Sequence, residues 1–316
     1  MQNQQNETNG QAGSSNGGKQ SVDLSAPGVA KQVARQVLED VDRYCATTYD
    51  DGHRNHLGAS LIGRECKRFL WYVFRWCHKE QFDGRMQRLF NRGHREEARF
   101  IEWLEGIGAK VWFENRDVAP NEKGEYPQYR ITGAKGHFGG SLDAIIILPE
   151  RYGISEPILG EFKTNGTGSG FDKLEKDGMA VAKAEHYAQT STYGKKYNFR
   201  YVLYMNINKN DDSIHVELVK LNHQLGEQME TKAELIIFSQ VPPPRLSDNI
   251  TFRSCAYCSM KEICHKGAVV ERNCRSCKNA TPVENAQWFC SVHNDVIPKH
   301  IIPLACDSYK SITDNV

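Results

Sequence analysis

Two short stretches carry the residue types that phosphodiester chemistry needs. The first, Gly140-Ser141-Leu142-Asp143, runs into the apolar residues 144–148, and the second is Ile158-Leu159-Gly160-Glu161-Phe162-Lys163. Side chains alternate along a strand, so Glu161 and Lys163 share one face while Phe162 takes the other. Pro149, Gly153 and Pro157 punctuate the segment between them, and a hairpin centred near Tyr152 brings Asp143 level with Glu161 to Lys163. Two carboxylates and one ammonium then meet at the end of a sheet. Hard oxygen ligands of this kind hold Mg²⁺ or Mn²⁺, which polarises a phosphate and activates a water, while Lys163 orients that water or offsets developing charge. Glu-x-Lys alone is a common tripeptide and is usually a solvated strand face, so the surrounding chain decides its weight.

The elements that must position these groups are legible as periodic runs. Apolar residues at helical spacing predict helices from Val29 to Cys45, over 65–78, over 85–104, over 179–193 and over 221–237. Strands are expected over 110–114, 129–132, 138–148, 201–206 and 214–218, the last two forming a hairpin. On the 85–104 helix, Met86, Leu89, Phe90, Ile101 and Leu104 make the inner face, with His94 at its edge. Arg85, Arg88, Arg92, Arg95 and Arg99 form a stripe nearly opposite, which reads as a solvated face rather than a phosphate clamp. Residues 165–170 are Gly-rich but lack a Gly-Lys-Ser/Thr ending, so they form no nucleotide phosphate loop; a mobile rim over the site is expected. Gln189 and Tyr193 are one turn apart on the 179–193 helix and share a face.

At roughly 150 residues per domain, 316 residues fit one large domain or a core with an appendage. Forty basic and 39 acidic residues leave a net charge of +1, so any nucleic-acid site is local. No apolar run approaches the ~20 residues of a spanning helix, and the N-terminus lacks a secretory leader pattern. An intracellular, cytoplasmic protein with no membrane partner is expected. Residues 1–24, rich in Gln, Asn, Gly and Ser, have little to bury and read as a disordered arm.

In that setting ten cysteines point to metal binding rather than disulfides. Cys45 and Cys77 read as core thiols. Cys274-x2-Cys277, followed by Cys290, His293 and Cys306, is the pattern of a small structural Zn²⁺ site. Cys306 is preferred as fourth ligand and His293 is the alternative. Residues 269–316 are therefore expected to be a zinc-binding appendage to a core domain over 25–268.

Taken in order, His94, Gly140-x-x-Asp143, Glu161-x-Lys163 and Gln189-x-x-x-Tyr193 resemble the motif set of RecB-type nucleases in the PD-(D/E)XK superfamily. Cys255-x2-Cys258-x5-Cys264, with a lone Cys66 ahead of the core, is similar to the iron-sulfur arrangement of the AddB subunit and the CRISPR-associated exonucleases of that superfamily. The resemblance spans residues 60–264. It implies an α/β (α+β) restriction-endonuclease-like core, with a mixed central sheet flanked by helices. His94, Asp143, Glu161 and the backbone carbonyl of Phe162 would hold the divalent metal, Lys163 would serve the attacking water, and Gln189 and Tyr193 would contact the DNA strand. Cys66, Cys255, Cys258 and Cys264 would hold a [4Fe-4S] cluster that staples the two ends of the domain; zinc could fill the same thiolates. The implied activity is a metal-dependent DNA exonuclease acting at single-stranded ends in recombination, repair or DNA processing, in a bacterial or phage-type setting. With no helicase segment, unwinding would fall to a helicase or recombination partner. The alternative is a non-catalytic nucleic-acid-binding or assembly module on the same fold.

Overall fold

The computed structural model describes residues 23–168 and 170–313; the expected disordered arm, save its last two residues, lies outside them. The chain opens with α1 (Val29–Thr48), a two-residue strand β1 (Leu57–Gly58), and the short helices α2 (Ala59–Ile62) and α3 (Lys67–Phe74). Next come α4 (Gly84–Gly106), β2 (Lys110–Trp112), β3 (Arg130–Gly133), β4 (Phe138–Ser141), β5 (Ala144–Ile147) and β6 (Ile158–Asn165). The helices α5 (Phe171–Asp177), α6 (Met179–Ala182) and α7 (Ala184–Tyr197) cross over to β7 (Tyr201–Asn208), β8 (Ile214–Lys220) and α8 (His223–Ile237). The chain ends in α9 (Arg253–Ala256), α10 (Lys261–Lys266) and a small meander of β9 (Ala280–Pro282), β10 (Trp288–Cys290) and β11 (Asp295–Val296).

The central sheet has the order β2-β5-β6-β7-β8, with β6 and β7 parallel and every other pair antiparallel. A parallel pair needs a crossover, and α5 to α7 supply it. Phe100 and Leu104 of α4 cover one face, packing with Ala144, Ile146, Phe162, Leu203, Met205 and Ile207. Leu159, Val202, Tyr204 and Val219 point to the other face, where they join Tyr193 of α7 and Ile236 of α8 in the larger core. Seven of the eight residues of β7 are buried, as a central strand between two helical layers requires, whereas the edge strand β8 exposes alternate residues. The fold is mixed α/β. No helix among the described residues is long and apolar enough to cross a membrane.

Several elements depart from the periodicity. The expected strand over 138–148 is two strands: β4 joins β1 and β3 in a separate three-stranded sheet, and β5 enters the central one. Buried Leu142 marks the change of sheet, its N–H donating to Tyr129 O at 2.8 Å. The helix expected over 179–193 breaks at Lys183 (φ −131°, ψ 53°), then runs on to Tyr197 and ends on Asn198 in the left-handed conformation, a common cap. On α1 only Cys45 is buried; Val37, Leu38, Val41 and Tyr44, expected to pack inward, are exposed.

Residues 269–313 share the main core. Fully buried Trp288 packs there, and Arg275 stacks against Trp76, Phe74 and Trp288 at 4.4, 4.6 and 4.8 Å. The Arg75 guanidinium donates to Ala280 O at 2.8 Å and to Ser239 O at 3.2 Å. Burial pulls the pKa of Arg75 down to about 10. These bonds satisfy carbonyls that the irregular chain leaves without a ladder partner.

Candidate active site

The hairpin of β5 and β6 pairs Ala144 with Gly160 and Ile146 with Ile158, a register centred on residue 152. Asp143 therefore stands beside the Glu161–Lys163 turn of the ladder. Where strand pairing stops, its side chain substitutes for a backbone acceptor: Phe162 N–H donates to Asp143 Oδ2 at 2.8 Å. Lys163 Nζ donates to the same oxygen at 3.2 Å and to Phe162 O at 3.0 Å, and lies 2.5 Å from Glu161 Oε1. Among the described residues Asp143 Oδ1 accepts no hydrogen bond, and neither oxygen of fully buried Glu161 receives a well-directed one.

This arrangement is electrostatically tense. Burial raises the pKa of Glu161; Lys163 opposes that rise and Asp143 adds to it. Burial disfavours the Lys163 ammonium, but Asp143 and Glu161 together outweigh it and hold the proton on firmly. Behind the site, His186 Nδ1 and Tyr204 Oη are 2.9 Å apart. Burial, then Lys163 and Lys183, bring His186 down to about 3, so the imidazole is neutral.

Helix α4 brings a third acid that hydrophobic periodicity missed. Glu97 is pushed up to about 7 by burial and by the nearby Asp143, with Lys163 opposing. Its place follows from its neighbours. Gly93, one turn before it, faces Thr164 of β6, and Phe100, one turn after, stacks on Phe162 with ring centroids 5.1 Å apart. His94, by contrast, is exposed and makes no hydrogen bond or ion pair among the described residues. The misplaced inner face explains the difference: Phe90 is exposed, meeting Phe82 edge-on, while Gln87 and Glu96 are buried. Ion pairs occupy the arginine stripe: Arg88 with Asp42, Arg92 with Glu96, and Arg99 with Glu96 and Asp212. It is the solvated face that the sequence suggested.

Gln189 and Tyr193 are both buried, and Gln189 Nε2 donates to Tyr193 Oη at 3.2 Å. Burial, then Glu161, raises the phenol. This pair braces the site from behind, and it accounts for Gly140. A Cβ there would come within 2.3 Å of Tyr193 Oη and 2.9 Å of Ala59 Cβ. Gly140→Ala is expected to cost about 1–3 kcal/mol of stability, measured by denaturant unfolding. Adding Tyr193→Phe should recover part of that loss. Wild-type stability in the Gly140→Ala chain would refute the close packing.

The cysteines gather in two places. Cys66, Cys255, Cys258 and Cys264 line one pocket. Cys66 caps α3, its Sγ accepting from Phe69 N, and the Cys255 thiol is raised by burial, then by Cys66 and Cys264. Cys274, Cys277, Cys290 and Cys306 line a second pocket together with exposed His293. Burial, then Cys306, Cys277 and Cys290, raises Cys274. The tail closes this pocket through a bridge between Cys277 and Ser311. Among the described residues no three His, Cys, Asp or Glu side chains are already closed around a metal-sized centre, so the thiols and carboxylates are neighbours without being preset ligand cages.

No family model matches the chain, and no curated protein matches it. Among solved structures, SSO0001 is 16% identical, over 72% of this chain and 96% of that one, with a TM-score of 0.40. LHK-Exo in complex with dAMP is 15% identical, over 58% of this chain and 86% of that one, at 0.37. The alkaline exonuclease LHK-Exo from Laribacter hongkongensis is 13% identical, over 60% of this chain and 89% of that one, at 0.36. At such identity the chemistry has to be argued from this chain's own residues.

Proposed function

We propose that the chain is a divalent-metal-dependent nuclease that hydrolyses DNA phosphodiester bonds, working as an exonuclease at single-stranded ends. The observation that carries this reading is Glu161, a fully buried carboxylate that pairs with Lys163 through Oε1 and has no partner on Oε2 among the described residues. A fold does not keep such a group beside Asp143 and Glu97 for stability, because one ammonium cannot offset three neighbouring acids and burying the surplus charge is costly. A hard cation is the further partner this group of acids lacks. Asp143 through its free Oδ1, Glu161, Glu97 and the Phe162 carbonyl are the groups suited to hold Mg²⁺ or Mn²⁺; His94 would have to turn inward to join them. The cation, when bound, polarises the scissile phosphate and acidifies water. Lys163, held between two carboxylates, places one ammonium where it can orient the attacking water and offset charge as the P–O bond breaks. Asp143 fixes Lys163 and the end of β6 at once. Tyr193 and Gln189 keep Gly140 and Glu161 in register.

Two structural groups accompany this reading. The four thiols in each pocket suit a [4Fe-4S] cluster on Cys66, Cys255, Cys258 and Cys264, and Zn²⁺ on Cys274, Cys277, Cys290 and Cys306, with His293 as the alternative fourth zinc ligand. Soft sulfur ligands select these metals over Mg²⁺. The test is to purify the protein without oxygen, measure iron and zinc, and incubate it with end-labelled single-stranded DNA and Mn²⁺. Progressive shortening by the wild type, lost in Asp143→Ala with iron and zinc unchanged, is the expected result. Equal digestion by both proteins would remove the site, and no digestion by either would leave only a binding module.

A further inference from the structure

Beyond Lys163 the site-bearing face of β6 continues to Asn165, its last residue, two positions on and therefore on the same side. Lys183, at the break between α6 and α7, reaches this residue: its Nζ donates to Asn165 Oδ1 at 3.2 Å. Among the described residues that ammonium has no second acceptor and no carboxylate in an ion pair. Asn165 Nδ2 is likewise buried without a partner. Burial, then the charge of Lys173, holds the Lys183 pKa below its ordinary value, as expected for a cation with no compensating acid.

Asn165 Oδ1 already accepts from Lys183, so the groups left unpaired at this spot are donors, and one of them is charged. That polarity is wrong for a metal ion and suits an anionic group rich in acceptor oxygens. Two strand residues span about 6.6 Å, comparable with the step between successive phosphates of a nucleic-acid strand. We infer that Lys183 and Asn165 form a subsite for the phosphate adjacent to the scissile one, holding the strand in line with Asp143, Glu161 and Lys163. This rests on the nuclease reading above and adds to it the direction in which the strand leaves the site, over the tip of β6.

The test is metal-free binding, separate from cleavage. Affinity of the full chain for a fluorescent oligothymidylate is measured in EDTA across a range of salt. Each phosphate contact on a single strand contributes about 0.7 to the slope of log affinity against log salt. Lys183→Met is expected to reduce that slope by about 0.7 and to weaken binding several-fold, while Lys183→Arg keeps both. Asn165→Ala should weaken binding with the slope unchanged, since it removes a neutral donor. Lys123→Ala, in the 120–127 loop, serves as the charge control. Wild-type affinity and slope in Lys183→Met would overturn the subsite, as would an equal loss in Lys123→Ala. A purely structural Lys183 would lower thermal stability and leave the slope alone, which also overturns it. If the wild type binds no strand at all, the nuclease reading falls first and the subsite with it.

Discussion

Replacing Lys163 with alanine is expected to lower kcat for strand cleavage by about 100- to 1,000-fold while KM changes little, because the ammonium is asked to act on charge that develops only in the transition state. The geometry makes this the most sensitive single position in the site. One nitrogen lies 2.5 Å from Glu161 Oε1, 3.2 Å from Asp143 Oδ2 and 3.0 Å from Phe162 O. Lys163→Arg should fail to restore the rate, since a planar guanidinium cannot place a single point charge at three acceptors. Removing the cation also leaves Glu161 without its one opposing charge. The fold survives because Glu161 answers by taking up a proton, its pKa already being raised by burial. Single-turnover kinetics with Mn²⁺ in excess, beside a denaturant titration without metal, read both effects. Near wild-type kcat in the alanine and arginine variants would show that Lys163 is only a structural counter-charge.

The hairpin that creates this geometry was legible because its signals are local. Two apolar runs of strand length flank Pro149, Gly153 and Pro157, and the register centred on residue 152 follows from counting. The spacings within Cys255-x2-Cys258-x5-Cys264 and Cys274-x2-Cys277 were legible for the same reason, whereas Cys66 joined its set only through the resemblance; each set lines one pocket. Long-range choices were not. On α4, periodicity favoured the stripe through Phe90 and His94, but Phe90 satisfies itself against Phe82 at the surface, and the face turned toward the sheet carries Gly93, Glu97 and Phe100. A hydrophobic pattern cannot register a glutamate wanted for its charge. The strand break at Leu142 and the helix break at Lys183 carry no proline or glycine at the break itself, so no propensity marks them. Both occur where the chain turns toward the site, and there tertiary demands outweigh local preference.

Cys66→Ser is expected to bring the largest loss of stability, about 5 kcal/mol, if one cluster ties Cys66 to Cys255, Cys258 and Cys264. The estimate follows from the loop closed, about 190 residues, whose freedom in the unfolded chain the cross-link removes. Serine keeps the cap on Phe69 N that the Cys66 sulfur provides, so the change isolates the cross-link from the helix end. Native contacts do not compensate. Trp71 Nε1 donates to Ser239 O at 3.0 Å and Arg68 Nη1 to Pro243 O at 3.1 Å, joining the same two chain segments, but they exist only once the protein has folded. The cross-link acts on the other side of the equilibrium. Cys274→Ser gives the comparison: its site spans only about 32 residues to Cys306, for which the same relation yields about 3.7 kcal/mol. Anaerobic denaturation of the three proteins, with iron and zinc assayed on each, should therefore rank Cys66→Ser below Cys274→Ser, the first losing iron and the second zinc. An iron-free wild type with Cys66→Ser equally stable would mean that the first pocket holds free thiols, and that α3 is fixed by its arginine and tryptophan bonds and its core packing.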